Sequence, residues 1–183
     1  MNIFLTDSDP VKCAQALDDL RLNKMILETG QMMCTAYRHW HKHMDMPATF
    51  TDIYKPTHAN HPCNVWLRKS FDNYLWGFEH FDALCQEKQW RTGKVHLTYE
   101  KLIDKLLPIN MDGSEHGPIS FSFDCSNVDN MPSANVHAKY KQCLATKWTN
   151  DKRSPTWTKR FMPVWIMRHN AIGQWVYTTK TFE

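Results

Sequence analysis

The amino-acid sequence predicts a mainly α-helical protein: a compact single-domain bundle of about four helices with long irregular loops and a C-terminal stretch able to form one short strand. Three observations predict it. Capping residues followed by proline stand at Asp9-Pro10 and Asn60-His61-Pro62, and proline suits a first helical turn because its missing N–H would have no partner there. Apolar residues recur at helical spacing after both signals. A chain of 183 residues, 42% hydrophobic and 22% charged, can bury one core and has the composition of a folded domain.

Met1 to Leu5 is short and mostly apolar, an extended segment tucked against the core. From Val11 to about Arg38 there is no proline and one glycine, with Leu22, Ile26, Met33 and Tyr37 at helical spacing, so the reading is one long helix with a bend at Gly30. His39 to Asn60, carrying Pro47 and Pro56, reads as a long loop. A second helix runs from Asn60-His61-Pro62 to about Arg91, its apolar face supplied by Val65, Trp66, Tyr74, Phe78, Phe81, Leu84 and Cys85, and stops at Gly93. Gly77 inside it is the weak point for continuity. A third helix is expected from Thr98 to Leu107, ended by Pro108, and a fourth from about Ser133 to Trp148. Residues 109–135 lack periodicity and read as an irregular excursion, whereas Trp175 to Thr179 has β-like composition.

The formal charge of +3 is mildly basic, so nucleic-acid binding has to come from a local patch. No apolar stretch is long enough to span a bilayer, and no basic region followed by an apolar run opens the chain, so the cytoplasm is the expected location. The six cysteines (Cys13, Cys34, Cys63, Cys85, Cys125, Cys143) contain no CxxC pair and read as reduced, buried thiols.

At about 100° per residue, Arg21, Lys24, Glu28 and Gln31 fall within roughly 80° of each other on the long helix, opposite the apolar set. Met25 and Met32 flank the stripe and put Glu28 at the edge of apolar packing, a setting that suits a carboxylate to proton transfer. The plainer alternative is a solvated face on which Lys24 and Glu28 pair at i, i+4, and spacing alone favours it. His39, His41 and His43, with His58, His61 and Cys63 further on, raise a metal site, but H-x-H-x-H sends its ligands in diverging directions and H-x2-H-x-C matches no standard zinc pattern. No metal and no cofactor are expected. Aromatic and basic residues interleave from Trp148 to Arg160 (Lys152, Arg153, Trp157, Lys159, Arg160) and again at Trp90, Arg91, Lys94 and His96. Cations neutralise phosphates and indoles stack on unpaired bases, though a tryptophan-anchored surface segment has the same composition.

The helix Leu17-Asp18-Asp19-Leu20-Arg21-Leu22-Asn23-Lys24-Met25-Ile26-Leu27-Glu28 is followed by Asn60-His61-Pro62 with Trp66, Tyr74 and His80. Glu87 with Arg91-Thr92-Gly93-Lys94-Val95-His96 comes next, and Pro155-Thr156-Trp157 last. In that order these stretches, about half of the chain, resemble the pyrimidine-dimer DNA glycosylase family, the phage-type endonuclease V glycosylase/lyases, and particularly its longer phage-borne relatives. Arg21 stands where that family has a histidine, and Leu27 where it has an arginine. The resemblance implies a helical fold that bends double-stranded DNA, extrudes a base and cleaves the glycosidic bond with the chain's own terminal amine and a helix carboxylate. The bulk of Asn2 hinders removal of the initiator residue, so the implied nucleophile is the Met1 amine, with Glu28 as acid/base. Arg21, Lys24, Arg91 and Lys94 would meet phosphates and His61 or Trp157 the displaced base, with Gln31, His96, Lys159 and Arg160 completing the DNA-facing set. A monomer in the cytoplasm is expected, that of the host cell if the protein is phage-encoded, with no membrane partner. Two other readings stay open: a non-catalytic phage accessory protein that binds nucleic acid or a host protein, and an enzyme of phage DNA-base modification on the same scaffold.

Overall fold

The structure is a computed structural model that describes residues 2–43, 50–107, 135–169 and 175–177. Six α-helices account for most of them: α1 (Pro10–Ala16), α2 (Asp19–His43), α3 (Pro62–Leu67), α4 (Phe71–Thr92), α5 (Leu97–Leu102), extended by the 3₁₀ turn Ile103–Lys105, and α6 (Val136–Asn150). Two short strands, β1 (Met167–His169) and β2 (Trp175–Tyr177), pair antiparallel with Arg168 opposite Val176. The chain is a mainly helical, single-domain bundle. The expected excursion over 109–135 lies almost wholly outside the described residues.

Both long helices of the sequence reading are divided, and side-chain caps divide them. The first breaks at Leu17, whose backbone is extended (φ −73, ψ 140). Asp18 then restarts the helix: its carboxylate accepts from the Arg21 N–H at 3.3 Å and its carbonyl from the Leu22 N–H at 2.8 Å. An aspartate satisfies the orphan donors of a helix start, so the Leu17-Asp18 pair stops one helix and begins the next. The second long helix breaks at Arg68–Ser70, where the Ser70 hydroxyl accepts from the Asn73 N–H at 3.2 Å.

Gly30, expected to bend its helix, and Gly77, the expected weak point of the other, are places of close packing instead. α2 is continuous through Gly30, where a Cβ would stand 2.7 Å from Thr98 Cγ2 and 3.1 Å from Leu102 Cδ1, so the missing side chain lets α5 approach. Gly77 likewise lies inside an unbroken α4 against Leu67 and Met33. α2 also runs to His43, past the expected stop near Arg38.

α4 packs on α1, α2 and α3, and α2 packs on α3, α4 and α5. Leu22, Ile26 and Met33 of α2 meet Phe81 and Leu84 of α4 and Leu67 of α3 in one core, to which Ile3 and Leu5 of the N-terminal segment and Tyr140 and Leu144 of α6 belong. Burying such side chains contributes about 1.5–3 kcal/mol each, which selects this arrangement over the uninterrupted helices that local periodicity favours. Cys13, Cys34, Cys63, Cys85 and Cys143 are buried free thiols, and Cys125 lies outside the described residues. Among the described residues, no helix is long and apolar enough to cross a membrane.

Candidate functional site

Arg21, Glu28 and Thr35 are spaced seven residues apart along α2, and seven residues is close to two helical turns, so the three lie in one row. Both ends of the row are fastened to other parts of the chain. At one end the Arg21 guanidinium donates to both Asp151 carboxylate oxygens, at 2.7 and 3.0 Å, and to Asp18 at 3.1 Å. Burial works against that charge, but Asp151 and Asp18 outweigh it and hold the guanidinium firmly protonated. At the other end the Thr35 hydroxyl accepts from the Thr57 N–H at 3.2 Å and donates to the Gln31 carbonyl at 3.1 Å.

Glu28 is the middle member, about 10 Å along the helix from each fastened end. Its side chain is 16% exposed, against 67% for Lys24, whose ammonium lies 3.5 Å from the Glu28 carboxylate. Met25 and Met32 are buried beside it. The carboxylate therefore sits at the boundary between core and solvent, within reach of a docked molecule. Gln31 is half-buried one turn further along.

The start of the chain is held between α3 and α6. Asn2 is 7% exposed and its Oδ1 accepts from Cys63 Sγ at 3.9 Å, while the Leu5 carbonyl accepts from the His137 ring at 3.0 Å. Met1, the expected nucleophile, lies outside the described residues. His61 caps α3, its Nδ1 accepting from the Cys63 N–H at 3.3 Å, so its ring is turned to its own backbone. Within α3 the buried Asn64 amide donates back to the Thr57 and His58 carbonyls at 3.0 Å each. It thereby holds a turn in which His58 takes a left-handed backbone (φ 48), sparsely populated for a non-glycine residue. Asp151, Thr35, Thr57 and Asn64 had no sequence motif. Thr35 alone carried a signal, its i+7 relation to Glu28.

Several expected DNA-facing residues are committed to the protein's own interior. Arg91, whose side chain is fully buried, donates to Glu87 at 2.8 Å, to Asp19 at 3.0 Å and to the Leu17 and Gln15 carbonyls at 2.9 and 3.1 Å. A guanidinium so engaged joins α1, α2 and α4, and it cannot reach a phosphate without opening the core. Trp157 is 5% exposed, its indole N–H donating to the Ala16 carbonyl at 3.1 Å and its ring against Trp148, so it is an anchor and no platform for a displaced base. Arg160 grips both Glu87 oxygens and lies 4.5 Å over the Trp90 ring. Trp157 and Arg160 thus belong to a tryptophan-anchored surface segment.

The remaining expected residues are dispersed. Lys94 is exposed just beyond α4. His96 caps α5 through Nδ1 at 3.1 Å from the Thr98 N–H, and burial, with the nearby Lys88 charge, lowers its tendency to protonate. Lys159 is exposed and donates to the Trp90 carbonyl at 2.9 Å. Among the described residues, no group of three His, Cys, Asp or Glu side chains could hold a metal ion.

Thr156 and Thr158 tie the C-terminal segment to the head of α2 through Asp19, which accepts from the Thr156 hydroxyl and the Thr158 hydroxyl at 2.9 Å each. Burial opposes ionisation of Asp19, yet the bonds from Arg91, Thr158 and Thr156 outweigh it and hold the carboxyl below its ordinary range. Comparison with protein-family models, with curated proteins and with solved structures returns no match to this chain.

Proposed function

We propose that this protein is a DNA glycosylase with AP-lyase capability, acting on damaged or modified pyrimidines in double-stranded DNA, with Glu28 as its acid/base group. One observation carries the reading. Glu28 is a carboxylate 16% exposed at the margin of the core, centred in a row whose two ends are fastened, so a substrate would meet it in a fixed position.

The chemistry follows from elementary reactivity. An α-amine with a reference pKa of about 7.7–8.0 is partly neutral near pH 7, and its lone pair can attack the sugar C1′. As the C1′–N bond breaks, its electron pair leaves with the base, which takes up a proton. Ring opening and loss of the remaining amine proton then give an imine, from which removal of a C2′ proton drives elimination of the 3′ phosphate. Glu28 would shuttle these protons and stabilise the cationic sugar. Met1 is the proposed amine. If Glu28 instead activates water, the base is released without an imine. Lys24, Gln31, Lys94 and Lys159 remain as the proposed polar and cationic contacts to the duplex, and Arg21, Arg91, Trp157 and Arg160 support the scaffold.

The test is incubation with duplexes carrying a panel of damaged and modified pyrimidines, alongside Glu28→Gln. Base release by the wild type, reduced at least ~100-fold in Glu28→Gln, is the expected outcome. Borohydride trapping on abasic DNA distinguishes the imine route from activated water. No release on any substrate refutes the proposal.

A further inference from the structure

Phe161 is 91% exposed, the most exposed of the large apolar side chains among the described residues. Lone exposed leucines are ordinary, but this ring ends a turn in which nearly every preceding residue is pinned. Thr156 and Thr158 hold Asp19, Trp157 is buried against Ala16, Lys159 bonds the Trp90 carbonyl, and Arg160 holds Glu87 while its own N–H donates to the Trp157 carbonyl at 3.1 Å. Lys159 keeps a left-handed backbone (φ 59) within this turn, a conformation that costs a non-glycine residue free energy and persists only because its neighbours enforce it. The result is an aromatic ring presented to solvent from a rigid base.

The groove beside it, about 380 Å³, is walled by Lys12, Lys159, Arg160, Val164 and Trp165, with no carboxylate among its lining residues. Val164 is itself 78% exposed. The Arg160 charge is offset by Glu87, and Lys12 lies 4.0 Å from Asp7 while staying 63% exposed, so Lys12 and Lys159 supply the accessible positive charge. A flat apolar ring flanked by cations and free of carboxylates matches a strand that alternates π-faces with phosphates.

We propose that Phe161 is a stacking platform for an unpaired base of a single-stranded DNA segment whose phosphates are met by Lys12 and Lys159. The groove shares Lys159 with the proposed duplex contacts, but Glu28 is not among its lining residues, and the proposal stands whether or not Glu28 is catalytic.

Fluorescence anisotropy with a short labelled single-stranded oligodeoxynucleotide, and with a strand of the same length made only of abasic sites, tests it. Wild type should bind the base-bearing strand more tightly. Phe161→Ala should weaken that binding by roughly 5- to 100-fold while leaving the abasic strand unchanged. Phe161→Leu, which keeps an apolar side chain but no ring face, should behave like Phe161→Ala. Lys12→Ala should weaken both strands and flatten the salt dependence. Binding is read here without base release, and Phe161 and Lys12 take no part in the glycosylase reading, so failure of that reading leaves this result intact. Equal binding of the two strands by wild type, or unaltered binding by Phe161→Ala, overturns the proposal. So does a wild-type dimer that Phe161→Ala converts to monomer, since the ring would then cover a second copy of this chain.

Discussion

The indole N–H of Trp148 donates to the Asp18 carboxylate at 2.6 Å, joining the C-terminal part of α6 to the residue that starts α2, 130 positions earlier. The same carboxylate, 2% exposed, also receives Arg21. One side chain thus caps a helix, neutralises a cation and anchors a tryptophan. Asp18→Ala should destabilise the protein by about 3 kcal/mol, because it strands a buried indole donor and removes half of the Arg21 pairing. Urea unfolding that shows a loss below about 1 kcal/mol would contradict this role for Asp18.

Arg91 and Lys94 are three residues apart and belong to different environments. Arg91→Met leaves Glu87 and Asp19 without their shared cation and should cost about 3–5 kcal/mol. Lys94→Ala, at an exposed position, should stay within about 0.5 kcal/mol. Thermal melts of the two variants side by side check the contrast.

Gly30→Ala sets two effects against each other. Alanine favours a helix by about 1 kcal/mol over glycine, but overpacking typically costs about 1–3 kcal/mol. With Thr98 Cγ2 at 2.7 Å, Leu102 Cδ1 at 3.1 Å and Phe81 Cε2 at 3.3 Å from the new Cβ, crowding should prevail by about 1 kcal/mol. Thr98→Ser deletes the nearest methyl, so the double variant should recover part of the loss. Strict additivity in a double-mutant cycle would show that the two positions do not touch.

Burial pushes the His80 imidazole down to about 4 from an ordinary value near 6.5, with the Pro10 carbonyl, 3.3 Å from Nδ1, opposing the shift. The unfolded chain takes up a proton between these pH values and the folded chain does not. The contribution is therefore full above about pH 6.5 and is lost as pH falls toward about 4, a change on the order of 3 kcal/mol. Asp19 acts lower: its depressed carboxyl favours the folded state above its ordinary pKa and loses that contribution as pH falls through the folded value. His80→Phe should flatten the stability profile between pH 6.5 and 4 in chemical denaturation, leaving the decline at lower pH in place.

Helical content, the proline-led starts of α1 and α3 and the apolar face of α2 were legible in the sequence, because capping and periodicity are local. So was the pairing of Lys24 with Glu28. The divisions at Leu17-Asp18 and Arg68–Ser70 were not: their caps resemble ordinary polar residues until Trp148, Arg21 and Asn73 are seen to use them. Gly30 read as a bend and Gly77 as a weak point for the same reason, since a helix partner at the missing Cβ is a long-range fact.

By itself the sequence determined that Glu28 lies on the polar side of an amphipathic helix, since the 3.6-residue period is a property of the backbone. Only the tertiary structure decided which basic and aromatic residues are left for a partner. Arg91, Trp157 and Arg160 carry the residue types of a nucleic-acid surface, yet each found a carboxylate or carbonyl of its own chain, while Phe161 did not enter the core. Composition cannot separate these outcomes, because a guanidinium or an indole satisfies its hydrogen bonds equally well inside the fold or against a ligand, and the choice depends on contacts made by residues far apart in the chain.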